Sequence, residues 1–161
     1  MRPNKFVIEK QVSGFRSDNG LSLSEPIALK SLLLKLNILT IFRPLSENFS
    51  GMCLKDKSGH RFMLVNSNQS QGRQHFTIAH ELGHWLLHKD RRDEYELKLS
   101  RPNGGEDDPM EKEANTFAAE LLVPFKELLE YKKKGVSNKE LAKMFFVSER
   151  VIEHRLEDCI G

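Results

Sequence analysis

The sequence predicts an α+β fold: a small, mainly antiparallel sheet packed on helices, followed by a C-terminal helical tail of helix-turn-helix-like pattern. Three observations predict it. Ile27, Leu29, Leu32, Leu33 and Leu36 form an apolar stripe at helical spacing. Three short β-prone runs follow between residues 39 and 66, two of them joined by the hairpin-type turn Asp56-Lys57-Ser58-Gly59. Beyond residue 70 every strong pattern is helical. A length of 161 residues fits one domain or one domain with a small appendage. We expect the boundary at Pro124, giving units 1–124 and 125–161.

Residues 1–24 carry only weak signals, with Gly14 and Asp18-Asn19-Gly20 read as turns. The first helix is expected to start with Ser24 as cap and Pro26 in its first turn, with Lys30 and Lys35 outside the stripe. The strand candidates are Leu39 to Arg43, Gly51 to Lys55 and Arg61 to Asn66. A second helix is expected over 73–88, then a solvated loop over 89–108 that is long enough to suggest function or mobility. Asp108-Pro109 opens a third helix that stops before Pro124. The tail reads as three short helices. The first ends at Gly135, the second opens on the capping box of Ser137 and Glu140, and the third is capped by Ser148 with Val151, Ile152 and Leu156 inward.

Composition narrows the function classes. Hydrophobic content of 39% and charged content of 30% are ordinary for a soluble protein, and a net charge of +2 gives no argument for nucleic acid or anionic membrane. Cys53 and Cys159 form no C-x-x-C pair, as expected in a reducing compartment. The N-terminus lacks a signal-peptide pattern, and the apolar stretch 27–42 is broken by Lys30, Ser31, Lys35, Asn37 and Thr40. The expectation is a cytoplasmic protein with no membrane partner.

The stretch that carries chemistry is His80-Glu81-Leu82-Gly83-His84. Two histidines four apart lie on one helical face and can reach one metal ion, with Glu81 beside a water bound to it. That is the pattern of zinc-dependent peptide hydrolysis. Stepping 100° per residue puts Thr77, His80, Glu81, His84 and His88 on one arc, and Ile78, Ala79, Leu82, Trp85 and Leu86 on the opposite arc. The helix thus has an apolar back and a polar face built of potential ligands.

Zinc needs a third protein ligand. His88 lies a further turn along the same helix, and three consecutive turns spread over ~12 Å do not converge on one ion. It reads instead as a helix-end histidine favoured by the dipole. On the third helix Glu111 shares a face with Asn115, Ala118 and Leu122, whereas Glu113, Thr116 and Glu120 cluster on the far side. The apolar flank must pack inward, so Glu111 is the expected ligand, with Glu113 and Glu120 in solvent. Asn115, one turn beyond Glu111, could accept the second N–H of His80 or His84. Ala114, Ala118 and Ala119 would let this helix approach Gly83 closely.

With His80 to His84 preceded by Phe76-Thr77-Ile78-Ala79, and with the run from Glu111 to Pro124, the sequence resembles the ImmA/IrrE family of metallopeptidases. The resemblance covers about residues 26–124. It implies a small zincin-like domain and a zinc-dependent endopeptidase of the glutamate-third-ligand type. His80, His84 and Glu111 would be the ligands and Glu81 the catalytic acid/base. It also implies a protein substrate, a helix-turn-helix repressor. Zn2+ is the expected ion, though the donors also suit another divalent ion such as Mn2+. His75 stands where the family often has arginine, and Val123 where methionine is common. Tyr95 and His88 are candidates for an oxyanion donor.

Two rivals follow from the same residues. The segment from Leu141 to Leu156 has a helix-turn-helix pattern, but residues 148–158 carry two arginines against Glu149, Glu153, Glu157 and Asp158, which phosphates should repel. Direct DNA binding is therefore not expected. The second rival is a metal-sensing regulatory protein without turnover.

Overall fold

The computed structural model describes residues 4–23, 25–88 and 108–158. It opens on a helix, α1 (Lys5–Asp18), where the sequence pattern suggests only turns. The pattern is faint because only Ile8, Val12 and Arg16 are fully drawn inward, with Phe15 half-buried against Phe117, while Phe6 and Val7 stay exposed. Packing of this narrow stripe outweighs the penalty of about 1 kcal/mol for Gly14 in a helix. Arg16 is buried and donates to the carbonyls of Ser22 and of Leu121, far along the chain.

Helix α2 (Leu29–Lys35) starts later than expected. Ala28 is its N-cap with no side-chain cap bond, Pro26 lies in the non-helical lead-in, and Ser24 falls outside the described residues. Asn37 ends this segment at φ 56°, a left-handed conformation that asparagine tolerates.

Strands β1 (Ile38–Arg43), β2 (Gly51–Lys55) and β3 (Arg61–Asn66) form one sheet in the order β1-β3-β2. The expected hairpin is there: β2 and β3 pair antiparallel, with Cys53 opposite Met63. β1 and β3, however, pair parallel, so the sheet is mixed rather than mainly antiparallel. The reason is insertion. β3 carries the fully buried Met63 and Val65 and takes the centre, between two consecutive strands of opposite direction. Asn66 makes this crossing affordable in polar terms. It is fully buried, accepts from the N–H groups of Leu45 and Asn68, and donates to the carbonyls of Leu45, Ser46 and Phe49 in the β1–β2 connection.

Helix α3 (Gln71–Leu87) begins on Ser70, whose side chain accepts from Arg73 N–H, and it packs along α4 (Pro109–Leu122), capped by Asp108. Gly83 is where they meet: a Cβ there would lie 3.0 Å from a Phe117 ring carbon and 3.2 Å from the Ala114 carbonyl. The tail folds as α5 (Phe125–Lys133), α6 (Asn138–Phe145) and α7 (Glu149–Glu157), with the capping box of Ser137 and Glu140 and the Ser148 cap both formed. Ile152 is fully buried, and Val151 and Leu156 pack against the core. Arg155 is 1% exposed; it pairs with Glu120 and donates through Nε to the Val123 carbonyl. Among the described residues no helix is long and apolar enough to cross a membrane.

Candidate active site

α3 turns its polar arc toward the N-terminal turn of α4, and the two helices bring His80, His84 and Glu111 together. His80 Nε2 and His84 Nε2 are 3.0 Å apart. The Glu111 carboxylate lies 3.3 Å from the first and 3.2 Å from the second. These separations match the roughly 3.3 Å edge of a tetrahedron whose ligands sit about 2.0–2.1 Å from a zinc ion.

Proton accounting supports the same fit. His80 Nδ1 faces Asn115 Oδ1 at 2.8 Å, an acceptor, so Nδ1 carries the hydrogen and Nε2 is bare. His88 Nε2 faces a Glu113 oxygen at 2.9 Å, so in neutral His88 the hydrogen sits there and Nδ1 is bare. That bare Nδ1 lies 3.0 Å from His84 Nδ1, which must then donate, leaving His84 Nε2 bare as well. Two imidazole lone pairs and a carboxylate converge, a donor set that calls for a cation.

The electrostatics of the three groups differ. Burial disfavours a charged His80, but the hydrogen bond to Glu111, the charges of Glu81 and Glu111, and the bond to Asn115 outweigh it, and its pKa is raised. His84 is held down to about 4, chiefly by burial, and is neutral at pH 7. Glu81 is 4% exposed, and burial pushes its carboxyl up to about 7 against the opposing pull of His80. The Cys53 backbone N–H of β2 donates to this carboxylate, while its Oε2 has no hydrogen-bond partner. β2 comes that near because Gly51 lies against α3: a Cβ there would sit 2.6 Å from a Thr77 methyl. A carboxyl anchored by one oxygen, with a pKa near neutrality, can both take and return a proton.

His80, His84, Glu111, Glu81 and Asn115 thus all lie where the helical faces put them, and Gly83 meets α4 as expected. Two readings change. Glu113 is not merely solvated but bonds His88, which is buried rather than a dipole-stabilised end group. Glu120 pairs with Arg155 and is largely buried instead of facing water; burial raises its pKa, with Arg155 opposing. The His84–His88–Glu113 chain goes unread in sequence because it depends on the relative rotation of two helices. A third histidine spaced four residues beyond the second was the available signal. Tyr95 and most of the 89–108 loop lie outside the described residues.

The model of the IrrE N-terminal-like domain matches residues 34–157, more than half of the chain. The chain belongs to the ImmA/IrrE family. Within that family it is 33% identical to "Metallopeptidase ImmA" of Bacillus subtilis over 110 residues, 66% of this chain and 62% of that protein. It is 28% identical over 140 residues to "Uncharacterized immunity region protein 2" of Bacillus phage phi105, covering 87% and 80% of the two chains. Among solved structures, a Mycobacterium tuberculosis transcriptional regulator superposes with a TM-score of 0.63 at 16% identity, covering 94% of this chain and 46% of that one. At that identity the last match speaks for the fold alone. The ImmA/IrrE match extends past Pro124 to take in α5, α6 and all of α7.

Proposed function

We propose that this chain is a metal-dependent endopeptidase, with His80, His84 and Glu111 holding the ion, Glu81 as acid/base and Asn115 fixing the tautomer of His80. One observation carries the reading: two bare imidazole nitrogens and a carboxylate converge within 3.0 to 3.3 Å of one another. The preferred ion is Zn2+, since two nitrogens and one carboxylate oxygen form a common catalytic zinc set. When bound, zinc supplies Lewis acidity, acidifying a water and polarising a substrate carbonyl.

The protein's own part follows from Glu81. Its free Oε2 takes a proton from the attacking water and returns it to the amine nitrogen as the C–N bond breaks. Burial of Glu81 by β2 keeps bulk water from competing for that proton.

For substrate we propose a helix-turn-helix repressor, supported by the family and by the immunity-region name of the phage relative. The tail is then a docking element rather than a DNA reader. Of its two α7 arginines, Arg155 is consumed by Glu120, leaving exposed Arg150 among exposed Glu149, Glu153 and Glu157. With two cysteines and no C-x-x-C pair, the protein would act in a reducing compartment, the cytoplasm. The test is incubation with candidate repressors, with and without chelator, followed by fragment masses. Expected is one chelator-sensitive cut that Glu81→Gln abolishes; cleavage persisting in Glu81→Gln would overturn the mechanism.

A further inference from the structure

His80 and His84 are supported differently. His80 rests on one amide, Asn115, on the exposed side of the site. His84 is 4% exposed and leads through His88, 5% exposed, to Glu113. The His84–His88 contact of 3.0 Å joins two ring nitrogens, which is attractive only if one donates and the other accepts. The Glu113 carboxylate decides which, by taking the hydrogen on His88 Nε2 at 2.9 Å.

His88 occupies the C-cap of α3, and its backbone N–H already closes the helix on the His84 carbonyl at 3.0 Å. Capping alone does not require a buried imidazole turned back onto His84. Helix-dipole stabilisation does not require it either, and would favour a solvated, charged ring.

We infer that His88 and Glu113 are positioning residues, a carboxylate–imidazole relay that locks His84 in the tautomer presenting Nε2 to the metal. This rests on the metal-site reading above. The relay also strengthens His84 as a ligand, because an imidazole backed by a carboxylate accepts a hydrogen bond more strongly than an amide does. Loss of such an outer partner typically costs 10- to 100-fold in metal affinity.

The test measures Zn2+ affinity by competition with a chromophoric chelator, on the full chain. The visible spectrum of the Co2+-loaded protein and melting of the metal-free form are recorded alongside. His88→Phe should bind Zn2+ about 10- to 100-fold more weakly and alter the Co2+ spectrum. Glu113→Ala, at a half-exposed position that leaves the core intact, should fall between it and the original chain. His88→Gln should restore most of the affinity, since its amide can accept from His84 and donate to Glu113. Affinities of His88→Phe and Glu113→Ala within about twofold of the original chain would overturn the inference. So would His88→Gln binding as weakly as His88→Phe, because the relay then has no hydrogen-bonding content. Absence of Zn2+ binding by the unaltered chain is a separate outcome, and it removes the metal-site reading itself.

Discussion

Glu111 opens α4 and faces two imidazole nitrogens; Glu120 lies in the last turn of the same helix and faces the guanidinium of Arg155. Both acids are drawn out of solvent, at 24% and 13% side-chain exposure. Glu120 meets a cation the chain itself provides, and the pair is complete. Glu111 meets two imidazole nitrogens, 3.3 and 3.2 Å away. The same residue type on one helix therefore serves as an anchor where a guanidinium faces it and as a candidate ligand where imidazoles do. A buried acid is informative about chemistry only once its partner is known.

The largest expected effect separates chemistry from binding at the ligand end. Glu81→Gln should lower cleavage by about 10²- to 10⁴-fold while leaving Zn2+ affinity and melting temperature near those of the original chain. If metal binding falls with activity, Glu81 belongs to the ligand set and the division of roles is wrong.

At the anchor end, Arg155→Met leaves Glu120 buried without its partner. Stability should drop by about 3–5 kcal/mol, seen as a melting shift on the order of 10 °C, with Zn2+ affinity of the folded chain unchanged. Adding Glu120→Leu should recover most of that loss, since an apolar pair of similar volume often replaces a buried ion pair at little cost. A double variant as unstable as Arg155→Met would show that the anchor is not about charge.

The two ends are joined by the close crossing of α3 and α4. Gly83→Ala pushes a methyl against a Phe117 ring carbon at 3.0 Å and the Ala114 carbonyl at 3.2 Å. The Phe117 ring and the α4 backbone must give by a few tenths of an ångström, at about 1–3 kcal/mol, partly offset by alanine's better helix propensity. Chelator competition should show weaker Zn2+ binding too, because Glu111 moves with α4. Unchanged affinity would mean that helix spacing does not tune the site.

The smallest effect concerns His75, whose ring meets Phe146 edge-on. It is a third case, half-buried with no acid paired to it among the described residues, and burial pushes its pKa from 6.5 down to about 4. Above 6.5 it is neutral folded or unfolded and contributes no pH dependence. Between 6.5 and about 4 the unfolded chain takes up a proton that the folded chain refuses, so stability falls as the solution is acidified, by at most ~1.4 kcal/mol per pH unit. In metal-free protein, urea midpoints at pH 7 and pH 5 should differ less for His75→Leu than for the original chain. Equal differences would place the ring in water.

Much of the candidate site was legible in the sequence because it is helical. Periodicity puts His80, Glu81 and His84 on one arc, and on α4 it favours Glu111 over Glu113 and Glu120 through the company of Ala114, Ala118 and Leu122. The tail was legible through Ser137, Glu140 and Ser148, whose capping is local. What stayed hidden is what no local pattern encodes. The parallel pairing of β1 with β3 depends on which strand takes the centre. Helix α1 buries only three residues, one of them an arginine, with Phe15 half-buried beside them. The partners of Glu113 and Glu120 depend on how α4 is rotated against α3 and α7. His88 was discounted as a ligand on sound geometry, but that argument says nothing of its contact with His84.

The most direct test of the central claim is Zn2+ stoichiometry and affinity, measured by chelator competition on the metal-freed chain beside His84→Ala and Glu111→Ala. The account predicts one tightly held ion per chain, with both substitutions weakening it by orders of magnitude and the metal-free melting temperature little changed. A chain that binds no zinc, or binds it equally well without His84 or Glu111, would contradict it.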